Sequence, residues 1–136
     1  MKNLFLFSVA LFTILLNGVS SAQNSSDINF KLNDKVIANF IMAINSDNEG
    51  LKKSAIYLVS NYKIEGAVDA LINVLNTDNS GSIKVLAALA LYEIGSAKGL
   101  NAVLKSAVMD NNEFVRKMNS IIYIDYKQRF ANGKSF

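Results

Sequence analysis

An all-α chain built from about three stacked helix pairs is what this sequence predicts, and three observations carry that prediction. Apolar residues recur at helical spacing, the pattern repeats every 32 residues, and Asp/Asn turns without a single proline separate the helical runs. A shift of 32 residues aligns Leu51 with Ile83 and Val115, Val36 with Val68 and Leu100, and Phe40 with Ile72 and Leu104. It also aligns Lys52 with Lys84 and Arg116, and Ala38 with Ala70 and Ala102. A period of this size marks a stacked array, because one such unit cannot bury its apolar side alone.

The elements follow in chain order. Lys2 and the 13-residue apolar run Leu4 to Leu16 lead to Ser20 and Ala22, the layout of a signal peptide over residues 1–22 cleaved after Ala22. That run falls short of the roughly 17–25 residues a membrane span needs, so no stable membrane insertion is expected after cleavage. A secreted or periplasmic protein follows. Residues 23–33 are polar and read as a disordered leader. The repeat domain is expected over 34–130, with a flexible tail at 131–136. Its helices are expected near 34–46, 48–62, 66–76, 80–94, 97–109 and 111–129.

Within the domain, first helices carry the stripes Leu51, Ala55, Leu58, Val59, Tyr62 and Ile83, Ala87, Ala90, Leu91, Ile94. Second helices carry Val68, Leu71, Ile72, Leu75 and Leu100, Val103, Leu104, Ala107. Asp47-Asn48, Asp78-Asn79 and Asp110-Asn111-Asn112 precede first helices, where short polar side chains bond the free N–H groups of a first turn. Gly95 suits a left-handed helix end. Leu91 and Leu104, in the central unit, are expected in the core.

Composition narrows the function classes. Histidine and cysteine are both absent, which removes the usual general base, the Ser-His and Cys-His pairs, disulfides and His/Cys zinc sites. Neither Asp47-Asn48-Glu49 nor Asp110-Asn111-Asn112-Glu113 has the ligand run of a calcium loop. No enzyme, metal or cofactor is expected. The formal charge of +3 falls to +2 without Lys2, too small to steer nucleic acid.

Lys84 through Ala107, KVLAALALYEIGSAKGLNAVLKSA, resembles the HEAT-like repeat of the phycobilisome-lyase type, with its small-residue-rich first helix, Ile-Gly turn and A-V-x-x-L second helix. The resemblance spans about residues 34–128. It implies a short right-handed α-α superhelix, an α-solenoid, with first helices convex and second helices concave. Three features depart from the pattern. Ser96-Ala97 stands for the usual Asp-Pro, and Lys63 stands where Gly95 does. In the last unit Asn119 replaces the small Ala, and the second helix is missing.

The resemblance gives the acidic and basic rows two readings. They form a structural ladder, or Lys52, Lys84 and Arg116 form a binding stripe with Lys52 the freest, since Ser46 replaces the acid of its unit. The candidate recognition surface is the concave pair of rows Ile37, Asp69, Asn101 and Ile41, Asn73, Lys105, which lie off the apolar stripe. These amide and charged groups, around two isoleucines expected to be exposed, point to a protein or peptide partner. Asn39 reads as a polar cap at one end. Tyr123, Tyr126 and Phe130 at the other are an aromatic cap or a sticky edge, so weak self-association as a structural subunit is the alternative. A lyase or chaperone-like role would rest on the resemblance alone.

Overall fold

In the computed structural model, which describes residues 33–131, six α-helices follow one another: α1 Asp34–Ile44, α2 Glu49–Asn61, α3 Val68–Thr77, α4 Gly81–Ile94, α5 Ala97–Met109 and α6 Glu113–Ala131. A 3-10 turn, Glu65–Ala67, leads into α3, and the described residues contain no strand. All six expected helices are present, with ends displaced by a few residues. The expected signal peptide, most of the leader and most of the tail lie outside the described residues.

Local chemistry sets the helix starts. The side-chain oxygen of Asn48 accepts from the Leu51 N–H at 3.0 Å, and that of Ser96 accepts from Gly99 at 3.1 Å. Asn112 accepts from Phe114 at 2.9 Å. One residue type earlier in each turn fixes the approach: Ser46 Oγ, Asp78 Oδ1 and Asp110 Oδ1 each accept the N–H two residues on, at 3.1, 2.8 and 2.9 Å. The Asp/Asn turns therefore cap their helices as the sequence indicates, with Ser80 as the capping residue of α4.

The end of α2 closes differently from that of α4. Gly95 takes φ 77°, and Lys63, at the matching place, takes φ 48°. Around Lys63 the N–H of Ile64 donates to Val59 O at 2.9 Å and that of Lys63 to Ser60 O at 3.1 Å, a Schellman closure that seats Ile64 in the core.

Packing joins helices two apart as well as neighbours. α2 packs on α4 and α4 on α6; α1 touches α3, and α3 packs on α5. The central helix α4 therefore has α2, α3, α5 and α6 around it, and Ala87, Ala88 and Ala90 are buried where these close in. Ile44, Ile56, Val59, Ile64, Leu71, Leu75, Leu91, Val103 and Val115 are fully enclosed. Each such side chain contributes about 1.5–3 kcal/mol by leaving water.

Leu91 sits in the core as expected, but Leu104 is 37% exposed. At the other end Leu51 and Leu58 are part of the expected stripe, yet Leu51 is 50% exposed because no helix precedes α1 and α2 among the described residues. Asn39 is exposed there too, as a polar end position should be.

Candidate interaction face

The site is built on α1, α3 and α5 and on the turns that follow them. Asp69 and Asn73 are exposed on α3, and Asn101 and Lys105 are exposed on α5. Ile37 and Ile41 differ from expectation. Both are half-buried and pack against the core, with Ile37 lying so close over Gly66 that a Cβ there would meet its Cγ2 at 2.9 Å. The small glycine admits the isoleucine, and the isoleucine is thereby used in packing. Asp69 is also engaged, with Lys98 Nζ at 2.5 Å from its Oδ1 across an exposed edge.

Asn73 and Lys105 each line a polar cleft, and the two clefts repeat in register. The first, of about 290 Å³, has Asn45, Asp47, Asn73, Thr77 and Asn79 on its walls and Lys52 with Asp78 at its floor. The second, of about 260 Å³, has Asn76, Lys105, Met109 and Asn111 around Lys84 with Asp110. Lys52 with Lys84, Asn73 with Lys105, Asp78 with Asp110 and Asn79 with Asn111 are each 32 residues apart.

The floor of each cleft is an ion pair between successive units. Lys52 Nζ lies 2.5 Å from Asp78 Oδ2, and Lys84 Nζ lies 2.8 Å from Asp110 Oδ2, all four side chains mostly buried. Burial pushes the Asp78 carboxyl up, but the Lys52 hydrogen bond, the Ser80 N–H and the Lys52 and Lys84 charges outweigh it, and the net shift is downward. At Asp110 burial again acts upward, and Lys84, the Asn112 N–H and Arg116 bring the carboxyl below its ordinary value. The acidic and basic rows thus form a ladder. Lys52 is not its freest member: it pairs with the acid of the following unit. Arg116, with no such acid after it among the described residues, donates instead to the Asp110 carbonyl at 2.7 Å.

Asn45, Asn76 and Thr77 were not singled out from the sequence, and Asp47 and Asn111 were read there only as turn and capping residues. Their signal was present in the recurring Asp/Asn turns, but capping accounts for such turns so well that a second use is invisible without the fold.

The two ends of the helix row differ in character. Between α1 and α2 an apolar groove of about 230 Å³ is lined by Val36, Phe40, Ala43, Leu51 and Leu58, with Asn39 and Ser54. On α6, Tyr123 and Tyr126 are half-buried against the core with ring centroids 6.2 Å apart. The side chain of Phe130 lies outside the described residues. Tyr92 strengthens this end: its buried hydroxyl donates to Asp125, whose Oδ2 also accepts from Arg129 Nε at 2.9 Å. Burial first, then the Asp125 hydrogen bond and charge, push the Tyr92 phenol up to about 12.

No described helix is long and apolar enough to cross a membrane. Compared with protein-family models, curated proteins and solved structures, the chain matches none.

Proposed function

We propose that this protein is a non-enzymatic binding scaffold, a short right-handed α-solenoid of HEAT-like helix pairs. It takes a protein or peptide partner on the face made by α1, α3 and α5. The observation that carries the proposal is the pair of polar clefts repeated at 32-residue spacing, with Asn73 in one and Lys105 in the other. A repeated, exposed, amide-rich surface held by buried ion pairs is rigid underneath and adaptable on top, the combination a recognition surface uses. The helix register and the contacts of α1 with α3 and α3 with α5 support the solenoid. The layout of residues 1–22 supports action in the periplasm or outside the cell.

The test is titration of partner captured from that compartment against Asn73→Ala/Lys105→Ala. The control is Lys53→Ala/Lys117→Ala on the first helices, and thermal midpoints are matched beforehand. The cleft variant should lose more than about 1 kcal/mol of binding and the control almost none. Loss in the control alone would reject the face. A second reading, end-to-end self-association, is favoured by the apolar groove between α1 and α2, and light scattering of the same proteins across concentration reports on it.

A further inference from the structure

We propose that copies of this protein join head to tail, with α6 of one copy seated in the apolar groove between α1 and α2 of the next. This deepens the self-association reading above and rests on the same helix register.

The register says what belongs in that groove. Leu51 and Leu58 line it and are 50% and 37% exposed. Their mates one repeat later, Ile83 and Ala90 on α4, are 3% and 1% exposed, and Val115 and Ile122 on α6 are 0% and 6%. What differs is the helix in front. α2 packs on α4 and α4 packs on α6, whereas among the described residues no first helix stands in front of α2. The same place is thus filled twice within the molecule, each time by the first helix of the preceding unit.

The filling surface is known as well. On α4 the stripe Lys84, Ala88, Tyr92 reaches forward: Lys84 meets Asp110 in the turn before α6, and the Tyr92 hydroxyl donates to Asp125 on α6. The matching stripe on α6 is Arg116, Ser120, Ile124. No described helix follows α6, and Ile124 is 55% exposed where Tyr92 is 4%. An exposed forward stripe at one end therefore answers an open groove at the other.

Two further observations favour a second copy as the occupant. The described helices start on a second helix, α1, and finish on a first helix, α6. Placing α1 of the next copy beside α6 completes a pair of the α2–α3 and α4–α5 kind, and brings α5 to that α1 as α3 packs on α5. Charge agrees. Lys52 and Lys84 are met by Asp78 and Asp110, while Arg116 has only a carbonyl, that of Asp110. The mate of those acids in the next copy is Ser46, and beside it Asp47 is exposed and in no ion pair among the described residues. Such a contact is heterologous, so every assembly keeps one groove and one α6 open for growth unless it closes into a ring.

The experiment is light scattering across concentration on the wild type, on Leu51→Glu in the groove and on Ile124→Lys on α6. Both changes lie at exposed positions, and circular dichroism checks that the helices persist. The wild-type mass should grow with concentration, and each variant should need at least about tenfold more protein to reach the same mass. An equimolar mixture of the two variants should recover association and stop at a dimer, because one intact α6 meets one intact groove. Wild-type growth that either variant leaves unchanged, or a mixture that stays monomeric, overturns the head-to-tail contact while self-association by another surface stands. A wild type that is monomeric at every concentration, its groove left open or filled otherwise, overturns both. The face made by α1, α3 and α5 is judged separately, by the Asn73→Ala/Lys105→Ala titration with captured partner.

Discussion

Leu51 and Ile83 hold the same place in successive helices, yet Leu51 is 50% exposed and Ile83 only 3%. The end pair α1–α2 and the middle pair α3–α4 share a register and a cap chemistry, and they differ in what stands before them. Ile83 has α2 against α4, while Leu51 faces the open groove between α1 and α2. Burial among these packed helices is thus supplied by the neighbour, not by the helix that carries the side chain.

Truncating the two aligned residues gives the widest expected gap. Ile83→Ala should cost about 2–5 kcal/mol through lost burial and a cavity, while Leu51→Ala should cost about 1 kcal/mol or less. Urea midpoints measure both. Similar losses would mean that something covers the α1–α2 groove in solution, which would convert the groove from an open end into an occupied interface.

The ladder sharpens the comparison through pH. Units with Asp78 and Asp110 depend on carboxylates, whereas the first unit has Ser46 in that place. Both folded carboxyls are shifted down, so their stabilisation is present above the unfolded pKa, about 3.9, and is lost as pH falls through the lower folded values. Thermal midpoints should hold steady through mildly acidic solution and drop once pH falls below about 4. Asp78→Asn and Asp110→Asn should each cost about 1–3 kcal/mol at neutral pH and flatten the acid limb. An acid limb unchanged in the double variant would assign acid unfolding to other groups.

Much of this fold was legible because helix period, caps and repeat register are local properties. The acidic and basic rows were legible as a ladder too. Its connectivity was not: Asp78 and Lys84 are close in sequence, but Lys84 reaches forward to Asp110 and leaves Asp78 to Lys52. Only the packing of α2 on α4 and α4 on α6 fixes that choice. For the site, Asp69, Asn73, Asn101 and Lys105 were correctly expected at the surface, because polar residues off an apolar stripe have nowhere else to go. Ile37 and Ile41 were misplaced for the converse reason, since an isoleucine off the stripe finds other apolar contacts when a small residue such as Gly66 makes room.

Asn119 marks a further contrast between the middle and last units. It stands where Ala87 does, is fully buried, and donates to Ser106 Oγ at 2.8 Å, while its Oδ1 has no partner among the described residues. Ser106 in turn stands where Val74 does. An unsatisfied buried carbonyl oxygen costs more than its hydrogen-bonded neighbour returns. Restoring both middle-unit residues, Ser106→Val with Asn119→Ala, should stabilise the fold by about 1–2 kcal/mol, read from the urea midpoint. A loss instead would show that a polar group or water satisfies Asn119 and that the pair fixes how α6 seats on α5.

The smallest effect belongs to the helix ends at Lys63 and Gly95. Both residues sit in the left-handed region, at φ 48° and 77°. A side chain with a Cβ pays about 1–2 kcal/mol there, because the Cβ crowds the following carbonyl. Glycine avoids that cost but gives up more freedom on folding, about 0.5–1 kcal/mol. The balance favours Lys63→Gly by about 0.5–1 kcal/mol, and the Schellman hydrogen bonds around it use only backbone atoms, so the closure itself survives the change. Gly95→Ala is the mirror test and should destabilise by about 1 kcal/mol, since its φ stays positive while the Cβ is added. A rise for the first and a fall for the second in thermal midpoint would show that backbone conformation sets both ends. If Lys63→Gly instead lowers the midpoint, contacts of the lysine side chain outweigh its strain, and the departure from glycine in the first unit is a gain for the fold.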